Sequence, residues 1–197
     1  MVSKTREKFI EVARQLFARK GVENTTMNDI ASASEKGRRT IYTYFKSKRE
    51  IFNAVIASET DQLLTRLREI VSTDDSPVEK LKKYIECRFE TMNEIVSRNG
   101  SLKAGFFRDI RKVDRARKLI TDKETALLKE ILEEGKKKGE FGDGDMDKAA
   151  LLITHTIHGV DVPFIRDSLS KEGLTQEEIK QSFKKLILRG IERRDNL

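Results

Sequence analysis

Apolar residues recur at helical spacing in every segment of this chain. Nowhere do four or more residues alternate apolar and polar between turn signals, as a half-buried strand requires. This pattern predicts an all-α fold. Only two prolines occur in 197 residues, and charged residues make up 37% of the chain against about 25% in an average domain, which is the make-up of long helices with solvated faces. A chain of this length buries about two thirds of its unfolded surface and needs no staple. The single cysteine, Cys87, excludes an intramolecular disulfide, and its neighbours Tyr84, Ile85 and Phe89 read as buried apolar surface in a reducing compartment.

Start and stop signals divide the chain into about nine helices. The first spans about residues 3–20, with Phe9, Ile10, Ala13, Leu16 and Phe17 on one stripe and Gly21 as its stop. Thr26, with Asp29 three residues on, caps a short second helix; Ile41 and Phe45 anchor a short third one starting near Gly37. Ser47 and Glu50 form a capping box for a fourth, whose apolar period runs to about residue 71, roughly 36 Å. Ser76, Pro77 and Glu79 open the next. Further helices are expected at about 77–98, 102–110 and 114–138, then a Gly-rich break from Gly139 to Gly144 and a helix from Met146 that Pro163 kinks or ends near Val162. Thr175 and Glu178 cap the last.

Charge is distributed unevenly. Residues 1–50 hold twelve Lys and Arg against six Asp and Glu, a net +6 of the chain's +7. A basic head on a balanced body is the electrostatic footprint of a nucleic-acid partner, though an anionic membrane surface or an acidic protein also suits it. The amino-terminal MVSKTREKFI lacks the apolar run of a secretory signal, so a cytoplasmic location is expected. The longest stretch free of Asp, Glu, Lys and Arg, Ala149 to Val160, falls short of the roughly 20 residues that span a bilayer, so no membrane partner is expected.

Three short helices in the first 47 residues, the second and third joined by a tight turn, are the parts of a helix-turn-helix. With Ile41 and Phe45 turned inward, Arg39, Thr43 and Lys46 point outward, flanked by Thr40 and Tyr42. From Lys36 to Arg49 there are six basic side chains (Lys36, Arg38, Arg39, Lys46, Lys48 and Arg49) and no acid. Guanidinium and ammonium groups meet phosphates or the acceptor edge of guanine, hydroxyls meet phosphate or base edges, and a tyrosine ring meets a thymine methyl or a sugar. The alternative is a merely solvated face on a helical adaptor or membrane-surface protein.

The stretches Thr25-Thr-Met-Asn-Asp-Ile-Ala and Thr40-Ile-Tyr-Thr-Tyr-Phe-Lys-Ser-Lys-Arg-Glu-Ile-Phe resemble the DNA-binding head of the tetracycline-repressor-like (TetR) family, over residues 5–56. The resemblance implies a homodimer whose recognition helices enter successive major grooves of a pseudo-palindromic double-stranded operator, usually repressing transcription until a small molecule enters the body. It implies a phosphate contact for Thr26, recognition-helix contacts for Thr40, Tyr42, Thr43 and Tyr44, and a phosphate contact for Lys48. Where the family commonly has a glycine, an apolar residue and a serine in the turn, this chain has Glu35, Lys36 and Gly37, which brings Lys36 forward as a phosphate contact.

These readings divide the chain into a DNA-binding domain at 1–47, a linking helix at 48–71 and an effector-binding and dimerisation domain at 72–197. The uncharged stretch and the last helix, through Leu152, Ile153, Ile157, Val160, Ile179, Phe183, Leu186, Ile187 and Ile191, are the expected dimer interface. The effector pocket is expected among Cys87, Phe89, Met92, Phe106, Phe107, Ile110, His155 and Phe164, and the scarcity of buried-looking charge there points to an apolar or weakly polar effector. His155, His158 and Asp161 lack the further ligands of a metal site and read as packing residues, so no metal or cofactor is expected. No Gly-rich phosphate loop, Ser/His/Asp or Cys/His set, or paired carboxylate marks an enzyme.

Overall fold

The computed structural model describes residues 4–99, 110–165 and 168–191, with the backbone alone at 95–99, 110–119, 162, 164 and 165. Among the described residues there are eight α-helices and no β-strand: α1 Lys4–Lys20, α2 Met27–Ala33, α3 Arg38–Tyr44, α4 Lys48–Val71, α5 Pro77–Asn99, α6 Ile110–Lys137, α7 Met146–Ile165 and α8 Gln176–Ile191, with a 3₁₀ turn at Ser170–Glu172. The helix expected at 102–110 lies, but for its last residue, outside the described residues. Two compact units result, one of Met1–Asp61 with Glu94–Arg117 and one of Gln62–Asn93 with Lys118–Leu197.

In the first unit the expected stripes meet. Phe9, Ala13, Leu16 and Phe17 of α1 pack with Ile30 and Ala31 of α2, Ile41 and Phe45 at the two ends of one α3 turn, and Ile51 and Val55 of α4. Phe45 meets Phe9 edge to face at 6.5 Å, and Phe52 meets Phe17 at 6.0 Å. Full burial of each such side chain is worth about 1.5–3 kcal/mol, so these contacts outweigh the poor intrinsic stability of the two seven-residue helices. The helix ends are set locally. Gly21, at φ 85°, stops α1 with its N–H on the Phe17 carbonyl. Thr26 and Asp29 form a full capping box for α2. At α4 only half of the expected box forms: Ser47 Oγ accepts from the Glu50 N–H, but the Glu50 carboxylate reaches one residue further back, to the Lys46 N–H at 2.6 Å.

In the second unit α5, α6, α7, α8 and the later part of α4 enclose a core of Leu63, Leu67, Leu81, Tyr84, Phe89, Leu128, Ile131, Phe141, Ile153, Ile157 and Phe183, among others. Lys80 on α5 pairs with Glu134 on α6 at 2.8 Å, and Lys129 on α6 pairs with Asp147 on α7, fixing the levels at which these helices pass. The break after α6 folds back closely. Phe141, fully buried, lies where a Cβ on Gly135 would come within 2.1 Å of its ring, so only glycine fits there. At α5, Ser76 Oγ caps the Glu79 N–H, while Glu79 itself pairs with Lys82 rather than closing the box.

Three expectations are corrected here. Helix α6 begins at Ile110 rather than near 114. Helix α7 continues through Pro163 to Ile165, because a proline in the last turn removes one hydrogen bond from a helix that is about to end anyway. Charge in the body core is not scarce: Arg88, Glu124, His158 and Asp161 are all buried.

The turn between α2 and α3 carries local strain. The Lys36 N–H bonds to the Ala31 carbonyl at 3.0 Å and the Glu35 N–H to the Ser32 carbonyl at 2.9 Å, the two bonds of a Schellman ending, with Glu35 in the left-handed region at φ 57°. A side chain there costs about 1–2 kcal/mol. The Glu35 carboxylate meets Lys8 at 2.9 Å, but both groups are exposed and the pair contributes little. Glu35→Gly is therefore expected to stabilise the first unit by about 0.5–1 kcal/mol after the glycine's greater unfolded-state freedom is subtracted, seen as a higher urea midpoint. An unchanged or lower midpoint would show that the turn is unstrained.

Candidate nucleic-acid interface

Helix α3 is seven residues long and turns Ile41 inward, with Phe45 immediately after it as its buried stop. On the remaining surface Lys36, Arg38, Arg39, Tyr42, Thr43 and Lys46 are exposed, and Thr40 and Tyr44 are half-buried. The Arg38 guanidinium lies 5.8 Å over the Tyr42 ring, and Thr43 Oγ1 donates to the Thr40 carbonyl at 2.7 Å. The helix begins without a side-chain cap: Gly37 stands at the N-cap in extended conformation. Its first-turn N–H groups and the lack of acid from Lys36 to Arg49 give this surface positive potential at its amino end.

Three of the ten expected contact residues have structural work as well. Thr26 Oγ1 accepts from the Asp29 N–H at 3.1 Å, so its hydroxyl starts α2. The Tyr44 ring packs on Phe9, centroids 5.8 Å apart, and belongs in part to the core. Lys48 is the largest departure. Its Nζ donates to the carbonyls of Val22 at 2.7 Å and Glu23 at 3.1 Å, tying the start of α4 to the loop between α1 and α2. Nothing local in the sequence signals a contact across 25 or 26 positions. Nor does sequence reading find Thr25, fully buried, whose hydroxyl holds the Gly21 carbonyl at 2.7 Å.

Asp29 completes the local electrostatics. The Lys20 ammonium at 2.8 Å, and then Thr26, hold its carboxyl down at about 2.

Of the residues expected around an effector, Cys87 and Phe89 are buried on α5, with Phe89 edge to face on Phe183 at 5.7 Å, and Met92 is half-buried. His155 is exposed on α7. Phe106 and Phe107 lie outside the described residues, as do the side chains of Ile110 and Phe164. Of the residues expected between two chains, Ile153, Ile157, Ile179 and Phe183 lie in the chain's own core and Val160, Ile187 and Ile191 pack partly against it. Leu152 at 67% and Leu186 at 71% exposure face solvent instead, as does Leu151 next to Leu152. Among the described residues no group of three or more His, Cys, Asp or Glu is placed to hold a metal, and no helix is long and apolar enough to cross a membrane.

A three-helix head whose third helix presents an acid-free basic face defines a helix-turn-helix DNA-binding transcription regulator. Residues 9–55 match the family described as bacterial regulatory proteins, tetR family. The HTH-type transcriptional repressor KstR2 of Mycolicibacterium smegmatis is 26% identical over 193 residues, covering 94% of this chain and 90% of that one. The probable acrEF/envCD operon repressor of Escherichia coli is 26% identical over 80% of this chain and 74% of its own length. The crystal structure of a TetR/AcrR-family transcriptional regulator from Thermobifida fusca superposes with a TM-score of 0.73 at 25% identity, covering 97% of this chain and all of that one. The head of the chain thus matches the tetR family of bacterial regulatory proteins, and over most of its length the chain is similar to transcriptional regulators of that kind.

Lys48→Ala is expected to destabilise the first unit by about 1–2 kcal/mol in the absence of any DNA, because two charge-assisted bonds to carbonyls are lost. Denaturation of the free protein checks this, and an unchanged midpoint would leave Lys48 no part in holding the loop. A carboxyl held below its unfolded value of about 3.9 stabilises the fold fully above that pH, and loses the effect as pH falls through its folded value. The Asp29 carboxyl should accordingly titrate with a midpoint near 2 by NMR; a midpoint near 4 would mean that the capping box and Lys20 pair do not persist in solution.

Proposed function

We propose that the chain is a repressor that binds a pseudo-palindromic operator as a homodimer and leaves it when a small molecule occupies the body. The carrying observation is the exposed face of α3 and its flanks, where five exposed basic side chains, Lys36, Arg38, Arg39, Lys46 and Arg49, stand in a stretch without an acid. In this reading α3 lies in the major groove. Arg39, Tyr42 and Thr43 meet base edges or adjacent sugar, and Lys36, Arg38 and Lys46 meet phosphates. Thr26, Thr40 and Tyr44 flank the contact, and Lys48 orders the loop beside it.

Residues 1–47 form the DNA-binding domain, 48–71 the connection and 72–197 the effector-binding and dimerisation domain. Exposed Leu151, Leu152 and Leu186 on α7 and α8 support a second copy as partner, since leucines left this bare cost solubility in a monomer. Repression, rather than activation, is supported by the two relatives' designation as repressors. The protein acts in the cytoplasm and performs no catalysis.

The test is selection of genomic fragments by the purified protein at near-physiological salt. One pseudo-palindromic site should be bound about 10³-fold or more above bulk DNA, and Arg39→Ala should weaken that preference about tenfold or more while leaving bulk binding nearly intact. Uniform binding by the wild type would contradict the assignment of α3 as a reading helix. Equal losses on every sequence for Arg39→Ala would reduce that side chain to a phosphate contact.

A further inference from the structure

Between α5, α6 and α7 the second unit holds a buried network of Arg88, Glu124, His158 and Asp161. Glu124 is at the centre: its Oε1 accepts from Arg88 Nε at 2.5 Å and its Oε2 from His158 Nε2 at 2.5 Å, while Tyr84 donates its hydroxyl to the Glu124 carbonyl at 2.9 Å. Arg88 Nη2 donates to Asp161 Oδ2 at 2.8 Å, and His158 Nδ1 lies 3.2 Å from Thr121 Oγ1. Burial works against the charge on Arg88, but Asp161 and Glu124 outweigh it and raise the guanidinium's affinity for its proton. Burial likewise opposes the Glu124 charge, and Arg88 and His158 overcome it.

Two edges of the guanidinium are therefore matched and one is not. Arg88 Nη1 is shut off from solvent with no hydrogen-bond acceptor among the described residues, and the buried hydroxyls of Thr125 and Thr154 are likewise without a partner there. These hydroxyls sit on the two helices that carry Glu124, His158 and Asp161. Thr125 is one helical turn from Thr121 and Thr154 is one turn from His158. Helices α6 and α7 run antiparallel, with Thr121 level with His158 and Lys129 with Asp147, so Thr125 and Thr154 stand at one level between those pairs. Native interiors leave few buried polar atoms unmatched, and a small number of convergent polar groups in apolar surroundings is how a ligand site fixes orientation.

We propose that Arg88 Nη1, with the Thr125 and Thr154 hydroxyls, anchors the effector, and that the group they take is an uncharged acceptor oxygen, a carbonyl or hydroxyl, on an otherwise apolar molecule. This rests on the effector-release reading given above. The charge count selects the class. Arg88 already faces two carboxylates, so the site is short of acceptor atoms and not of negative charge. A third carboxylate would be desolvated beside two of its own sign. The rest of the ligand meets hydrocarbon, since Cys87, Phe89, Leu128 and Ile157 on the same three helices belong to the apolar core.

The test uses three probes of one chain length, decan-2-one, decanoate and decane, titrated calorimetrically into the full-length protein. The ketone should bind at least about tenfold tighter than either of the others, and Thr125→Val with Thr154→Val should remove about tenfold of that advantage. Arg88→Lys, which keeps the charge but not the fork, should abolish the preference. The threonine variants keep the test decisive where the arginine variant fails to fold. Decanoate binding as tightly as the ketone, ketone binding unchanged in the threonine variants, or binding by none of the three would overturn the anchor, as would a crystal structure in saturating ketone with only water at Nη1. If none binds while another compound frees the operator, the release reading stands without this anchor. If the ketone binds as expected and no compound releases DNA, the release reading falls and the anchor remains.

Discussion

The head depends on the burial of Ile41 and Phe45 against Phe9 and Ile30. A helix of seven residues has no stability of its own in water, and α3 has no side-chain cap. Two apolar side chains four positions apart fix its rotation about its axis. Once they are turned inward, the opposite surface is settled as well. Arg39, Tyr42, Thr43 and Lys46 must face outward, and the basic, acid-free character of that surface follows from which residues the chain places between and beside the two anchors.

The strain in the turn and the role of Lys48 are consequences of the same packing. To bring α3 onto Phe9, the chain leaves α2 through a Schellman ending at Glu35, in a conformation that suits glycine better. On the other side of the head, Lys48 fastens α4 to the carbonyls of Val22 and Glu23. Both devices hold the short helices in one arrangement. A surface that reads DNA by hydrogen bonding needs that order before it meets the duplex.

What was legible in the sequence is what is written locally. The capping signals at Thr26 and Thr175, the stop at Gly21 and the stripe from Phe9 to Phe17 all lie within a few residues of the structure they produce, and each helix of the head falls where its signals place it. The opposite case is Arg88, which meets Glu124 and Asp161 across 36 and 73 positions. Read along its own helix each of these is an ordinary charged residue, and only the antiparallel passage of α6 against α5 and α7 turns them into a buried network. The same holds for the expected dimer stripe. Helical period correctly groups Ile179, Phe183 and Leu186 on neighbouring faces, but it cannot say that the first two fill the chain's own core and the third faces out. Gly135 is a third example, since its need to be glycine arises from a Phe141 ring that arrives after a turn.

The central claim is that the surface built on Ile41 and Phe45 is the one that faces DNA. Amide chemical shifts of the isotopically labelled protein, followed as the selected operator duplex is added, test it most directly. The account predicts that the large changes cluster at Thr26 and from Lys36 to Lys48, with the buried positions Ile30 and Leu128 little moved. Changes centred on the second unit, with Arg39, Tyr42 and Thr43 left where they were, would contradict it.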